Sequence, residues 1–438
     1  MVLSLATTAA FADGEGSGDS SSNASTNKTV MLGTSEINAY EKSTGKVDTI
    51  YYGTYTYDGK SYNVPWYVIG LNTSNKTSFM FSKYMLGFSQ FRTDFGYYGT
   101  NNLGTVSDSK LKTKTEGLYD DIFTSGEQEK INQTDITCSV DDPSSATHEV
   151  TGAYLFPLSS SEASDLNSDI LKARNIVDPD GDAKWWWLRS SSNDLTASGA
   201  NDAGGIYINH VFNSGGVRPA FNLNLDSVLF TSLISTTDKG SEYKLTLLDD
   251  NMTIAKTENE DAARRSSTLI IPYTISGTNS ANASQVSVLI LDKEYTDGNT
   301  NNANVLAYGK LNTESFSTTG SGTFMLPDTL TGKTLGTDYH VYILAEDVNG
   351  TYETDYASAP VEISSVKEIA ETPDVKPVPD DPEPAPVDDV DETTPAEETS
   401  VLPKTGDNSS AATCVALVLM GCAATIAMFA YKKKKHSK

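Results

Sequence analysis

The sequence predicts a multidomain chain: an α+β head, an all-β sandwich, a disordered acidic stalk rich in proline, and a C-terminal transmembrane helix. Three observations predict it. Residues 31–229 are rich in aromatics and glycine and mix strand-like with helix-like patterns, whereas residues 237–365 hold alternating strands separated by Gly, Asn, Asp and Ser. Between Val366 and Ser400 stand seven prolines and twelve acidic residues against two lysines. From Ala411 to Tyr431 no residue is charged, and these 21 residues as a helix would cross a hydrocarbon core of about 30 Å.

Taken from the amino end, Ala10-Phe11-Ala12 forms a small-x-small cleavage pattern, but the basic and longer apolar parts of a signal peptide are missing. Residues 1–12 therefore read as the remnant of one. Residues 13–30 carry almost nothing apolar and should be disordered, because they cannot bury enough surface to offset their ordering entropy. In the head, Tyr55 and Tyr57 alternate with Thr54 and Thr56, Asp58-Gly59 supplies a tight turn, and Trp66–Ile69 returns, which predicts a hairpin. The run Lys76–Leu86 contains another apolar strand. One helix should place Leu118, Ile122 and Phe123 on one side. A second should open at Ser159 with Glu162 three residues on, a capping box, and continue through Leu166 and Ile170.

The second region shows strands at sandwich-like intervals, as in an immunoglobulin or fibronectin-like domain. Within it, Tyr339, Val341, Ile343 and Ala345 share one face, and His340, Tyr342 and Leu344 share the other. Residues 366–401 form the stalk. At about 3.1 Å per residue, such a self-repelling, Pro-rich chain extends on the order of 110 Å. Four lysines, Lys432–Lys435, follow the apolar span and stay on the cytoplasmic side, so everything before it lies outside the cell.

The formal charge of −26 and a pI near 4.4 argue against nucleic-acid binding. Cys414 and Cys422 lie in the span, which leaves Cys138 alone and permits no internal disulfide; it reads as a small buried residue. His148, His210, His340 and His436 show no metal-ligand spacing, and no cofactor is implied. Asp178, Asp180 and Asp182 could form an oxygen-ligand loop. Its glycine comes too early for an EF-hand, though, and Arg189 stands where a Glu is needed, so it reads as a solvated acidic loop. No local Ser-His-Asp or Cys-His arrangement is present, and the expectation is no catalytic residue and no enzyme. An enzymatic alternative would need dispersed carboxylates among Asp178, Asp180, Asp182 and Asp202.

Three tryptophans stand together at Trp185–Trp187. On a strand, Trp185 and Trp187 face one way while Trp186 and Leu188 face the other, which denies a shared exposed platform. Trp186 and Trp187 are expected in the core, Trp185 partly exposed, and Arg189 and Arg218 tied to carboxylates or carbonyls through guanidinium forks. The segment from Ser191 to Gly215 is dense in Asn, Ser, Asp and Gly, punctuated by Tyr207, His210 and Phe212. Adaptable hydrogen-bonding groups with a few rigid aromatics are what antibody paratopes use. The candidate ligand site is Trp185, Asn193, Asn201, Asp202, Tyr207, Asn209, His210, Phe212 and Asn213. The competing reading is an ordinary hairpin with polar loops, in which Ile206, Ile208 and Val211 face inward.

Two resemblances add to this. Leu402-Pro403-Lys404-Thr405-Gly406, the apolar span and the basic tail resemble the cell-wall sorting signal of Gram-positive surface proteins. The resemblance implies a sortase that cleaves between Thr405 and Gly406 and joins Thr405 to peptidoglycan, so the membrane is touched only before sorting. In the head, "VPWYVIG", "LYDDIFTSGEQEKI", "AYLFPLSSSEA", "WWWLRS" and "GGVRPAFNLNL" are similar to the DUF6273 family, over roughly Thr49 to Leu225. The last two also resemble C-type-lectin-like domains, where such motifs bracket exposed ligand loops. Together these imply a wall-anchored, secreted surface protein whose head binds an extracellular glycan or protein without catalysis. The alternative is a structural spacer without a specific ligand.

Overall fold

A computed structural model describes residues 30–94, 96–101, 109–138 and 148–370, all within the first of the chain's two units, Met1–Thr372. The signal remnant, nearly all of the acidic stalk, the Leu402–Gly406 pentapeptide and the 411–431 span lie outside the described residues. Among the described residues no helix is long and apolar enough to cross a membrane.

The expected α+β head is mostly β. Among the described residues its one helix longer than five residues is Lys110–Ile122, capped by the Ser109 side chain, with Leu111, Thr115, Leu118 and Ile122 on its buried stripe. It starts earlier than expected and ends before Phe123. The Ser125–Gln128 turn that follows is a separate helix with its own capping box, Thr124 and Glu127. The second expected helix is likewise two. Ser159 and Glu162 form the capping box of Ser160–Ser164; the Asn167 side chain then accepts from Ile170 N–H and starts Ser168–Leu171 afresh. Caps inside the pattern broke each long helix into pieces.

The predicted hairpin is present as Thr49–Tyr57 and Lys60–Asn72. Asp58 and Gly59 both have positive φ, 50° and 71°, as a type I′ turn requires. Thr77–Ser82 pairs next. From there one sheet runs through both regions of the sequence. Gly240–Leu248 pairs with Val228–Thr237 along one edge and, along the other, in parallel first with Thr49–Tyr57 and then with Asp355–Ala357. His340–Asp347, Gln285–Leu291 and Val305–Lys310 continue it. The strand pair Val228–Thr237 and Gly240–Leu248 thus spans the boundary expected at 229–237 and belongs to both sides.

Two edges of the expected domains also shift. Val30–Leu32 is a strand paired with the Val228–Thr237 strand, so order begins by residue 30. Lys367–Glu368 pairs in parallel with Ala263–Arg265, so the sandwich extends past residue 365.

Three apolar clusters hold this together. The first lies under the head strands and contains Trp66, Trp186, Trp187 and Phe221. The second fills the sandwich between the His340–Asp347 sheet and the sheet built on Thr268–Ser276, and contains Tyr339, Val341, Ile343 and Ala345, the face predicted from alternation. Tyr342 and Leu344 point the other way into a third cluster with Leu32, Leu229 and Phe230. The sandwich therefore buries both faces of its central strand, because the head's last strands cover the outer one. Polar links cross the same joint. Lys244 Nζ lies 2.8 Å from Asp355 Oδ1, with both side chains buried. The buried Glu127 carboxylate accepts from Gly53 N–H at 3.0 Å and from Thr354 Oγ1 at 2.6 Å.

Candidate functional site

The Trp186–Ser191 strand lies in a five-stranded sheet ordered Ile206–His210, Thr196–Ala200, Trp186–Ser191, Ser214–Gly216 and Phe88–Gln90. Every residue of the Trp186–Ser191 strand is buried. Alternation holds. The Trp186 ring packs on Phe81, and its Nε1–H donates to Leu171 O at 2.9 Å. The Trp187 ring meets Phe91 on the opposite side and donates to Ser89 O at 3.0 Å. Trp185 is half-buried, edge-on to Trp187 with ring centroids 4.8 Å apart. Gly215 makes room for it: a Cβ there would stand 2.2 Å from the indole.

The two arginines anchor the strand ends. Arg189 donates to Thr137 O and Pro157 O and forks onto Glu162 at 2.5 and 2.8 Å, so the carboxylate that caps the Ser160–Ser164 helix also fixes this arginine. Arg218, fully buried, donates to Ser82 O, Leu171 O and Lys83 O and lies over the Phe81 and Trp186 rings. Burial pushes its pKa down to about 9, which still leaves it charged at neutral pH.

The candidate ligand residues separate into two groups. Trp185, Tyr207, Asn209 and Asn213 come together. Tyr207 stands edge-on to Trp185, with centroids 6.1 Å apart. Asn209 Nδ2 donates to Tyr207 Oη at 3.1 Å, and its Oδ1 accepts from His210 N–H and Asn213 Nδ2. Burial raises the Tyr207 pKa, so the ring is a neutral hydroxyl at ordinary pH. His210 and Phe212 are exposed, their rings 4.9 Å apart. Asn193 and Asn201 stand apart from this group. Asn193 Oδ1 accepts from Leu195 N–H, and Asn201 Oδ1 from Ala203 and Gly205 N–H, so both are committed to their own turns. Asp202 is exposed at the second of these turns.

One expectation fails. Val211 is buried, but Ile206 and Ile208 are exposed by 40% and 53%. The strand sits at the sheet edge, and Tyr207 takes the inward position beside Trp185, so parity turns both isoleucines outward. Placing Tyr207 beside the tryptophans would have revealed this from sequence. With Phe88, Leu195 and Phe212, five of the eleven exposed large hydrophobic residues of the described chain lie on this one sheet and its turns.

Elsewhere the chemistry is quiet. Among the described residues no three His, Cys, Asp or Glu gather as metal ligands. Asp178 folds over its own turn toward Gly181, whose carbonyl accepts from Arg174 Nε. His148 stacks on Tyr97, and His340 lies 3.0 Å from Glu362. Burial lifts the Cys138 thiol to about 11, the setting of an inert buried cysteine.

No curated protein matches the chain. Seven chains of solved structures do. One is the crystal structure of a DUF3823 family protein from Bacteroides ovatus ATCC 8483, 12% identical, with a TM-score of 0.17 over 38% of this chain and 78% of that one. A likeness that slight carries no argument, and a C-type-lectin-like fold gains no support from it. Residues 58–225 match the model of a domain of unknown function, DUF6273. The match covers most of the mostly-β head, including the Trp-rich strand and the exposed sheet edge beside it, and none of the sandwich.

Proposed function

We propose that this chain is a sortase-anchored surface protein of a Gram-positive cell wall. Its head binds an extracellular glycan or protein, without catalysis, at the outer face of the five-stranded sheet. The observation that carries the binding reading is that Ile206 and Ile208 are exposed on the edge strand that also holds Tyr207, Asn209 and His210, with Leu195 and Phe212 exposed in the turns beside it. Monomeric proteins rarely leave such side chains together without a contact for them to make. His210, which shares the strand face of Ile206 and Ile208, and the exposed Phe212 add aromatic surface. The anchoring reading rests on Leu402–Gly406, the uncharged 411–431 segment and the four lysines after it.

The test of binding probes an array of glycans and matrix proteins with the full-length chain and with a variant carrying Ala at Tyr207, Asn209, His210 and Phe212. A ligand that binds both equally removes the site; silence across the array favours a spacer. Anchoring is read separately. Digested cell walls should release a fragment ending at Thr405 joined to peptidoglycan, and a Thr405→Ala chain should appear in the medium or the membrane.

A further inference from the structure

A second surface, on the other side of the Arg189–Glu162 pair, is built differently from the sheet edge described above. Two adjoining grooves of about 500 and 540 Å³ share Phe79, Thr134, Asp135 and Asn222 along their common wall. The floor is a single row across four strands. Gly70 pairs with Phe79, Phe79 with Asn222, and Asn222 with Asn132. Residues paired in this way point to the same face of the sheet, so a glycine, an aromatic ring and two carboxamides lie side by side.

Each member suits one task. Phe79 is half-buried, stacked beside the buried Phe156 ring, with centroids 6.0 Å apart and planes 27° apart. At Gly70 a Cβ would come within 3.3 Å of Phe79 Cβ. The missing side chain leaves the flank of the ring uncovered. Asn222 donates to Thr134 Oγ1 at 2.9 Å, which orients its amide. Asn132 and Gln133 make no side-chain hydrogen bond among the described residues, so their amides offer donors and acceptors to the groove.

The charge is also specific. Glu162 at the far wall is neutralised by its fork with Arg189, and Asp135 accepts only from the Gly152 N–H. Among the described residues that line the groove there is no uncompensated cation, and the chain as a whole carries −26. A polyanion would meet repulsion here with nothing to offset it.

We infer that this groove is a binding site for a neutral oligosaccharide. One sugar ring lies against Phe79, and the carboxamides beside it pair with ring hydroxyls. A hydroxyl both donates and accepts, and a carboxamide matches both roles at once. An aromatic face meets the C–H side of a pyranose, while the shallow, open shape admits a chain running along both grooves. This site does not depend on the sheet-edge reading, and the two fail separately.

The experiment titrates the full-length chain with neutral oligosaccharides of glucose, galactose, mannose and N-acetylglucosamine, beside sulfated and sialylated ones and extended peptides, to millimolar concentration. Binding is followed by saturation-transfer NMR and calorimetry. A neutral series should bind. Gly70→Val, which fills the space beside the ring, and the surface pair Asn132→Ala with Gln133→Ala should each weaken it by about tenfold or more, a loss of some 1.4 kcal/mol. The Tyr207/Asn209/His210/Phe212 variant tells the two surfaces apart: saccharide binding that it abolishes while both groove variants retain it belongs to the sheet edge and overturns the assignment. The pair at Asn132 and Gln133 decides the matter if Gly70→Val lowers the melting temperature. No neutral saccharide bound at millimolar concentration, a preference for sulfated chains or peptides, or affinity indifferent to both groove variants would each overturn the assignment.

Discussion

The two regions joined by the long sheet keep their buried charge in opposite ways. The apolar cluster that fills the sandwich is Ile, Val, Leu and Ala with two tyrosines and one methionine, and the buried Glu346 of its central strand accepts from side chains alone, Ser287 and Tyr308 on the neighbouring strands among them. In the head, Arg218 and Arg189 run beneath the tryptophans and spend their donors on backbone carbonyls and on Glu162. A regular sandwich closes its core with strand alternation alone. A head with many loops leaves carbonyls of irregular backbone inside, and buried guanidinium groups satisfy them. The joint follows the head's habit: Lys244 with Asp355, and Glu127 with Gly53 and Thr354, cross it.

The joint is where that contrast breaks most severely. Lys244→Met should cost about 3–5 kcal/mol, because it leaves the Asp355 carboxylate buried without its cation. Lys244→Met combined with Asp355→Leu should recover most of the loss. Urea denaturation of the three variants checks both. A single variant as stable as the parent would show that the pair is open to water.

Next in size is Trp186→Phe. It removes the Nε1–H bond to Leu171 O and part of a fully buried ring, for a loss of about 1–3 kcal/mol. The Leu171 carbonyl keeps its bond from Arg218 Nη1, so the loss comes mainly from the missing part of the ring, and it should still exceed that of an Ile343→Val change in the sandwich, which costs about 0.5–1.5 kcal/mol. Equal losses would mean that the head's polar interior adds nothing to its packing.

Alkaline pH sharpens the comparison further. Burial raises the Cys138 thiol from 9.0 to about 11. The folded chain therefore binds a proton that the unfolded chain releases, and the stability this gives is present below pH 9 and lost as pH rises toward 11. Tyr308 at the joint is also raised, by burial and then by Glu346, and its contribution fades above pH 10. Melting temperatures should fall between pH 9 and 11, less steeply in Cys138→Ala. A flat profile, or rapid alkylation of native Cys138 at pH 8, would contradict the burial.

What the sequence revealed follows the same division. The alternation of Tyr339 to Ala345 was legible because both faces of that strand are buried by apolar layers. The Asp58-Gly59 turn and the Ser159/Glu162 cap were legible because each is a local device. For the tryptophans, strand parity denied a shared platform, and the resemblance, which repeats Trp186 and Trp187, pointed to those two as core. The helix lengths were not, because Thr124 and Asn167 act as caps inside the periodic pattern. The joining of the two regions was hidden because strand pairs such as Thr246 with Asp355 are separated widely in sequence. In the candidate site, Asn193 and Asn201 look like ligand donors by composition, yet each is bound to its own turn, a distinction set by backbone geometry.

The smallest expected effect is the one that separates a surface from a scaffold. Ile208 is exposed by 53% on an edge strand and is paired in register with Ser198. Ile208→Ser should change stability by no more than about 0.5 kcal/mol, because the residue keeps 53% of its surface in water after folding. Its β-branched shape suits a strand, so the change should be slightly unfavourable. If the outward isoleucines serve the fold, the loss would instead approach that of a core position. If they serve a contact, stability stays level while capture of a ligand by the sheet edge weakens. Denaturation and array binding on the same preparation distinguish these outcomes, and only the second pairing is compatible with a binding face on the head.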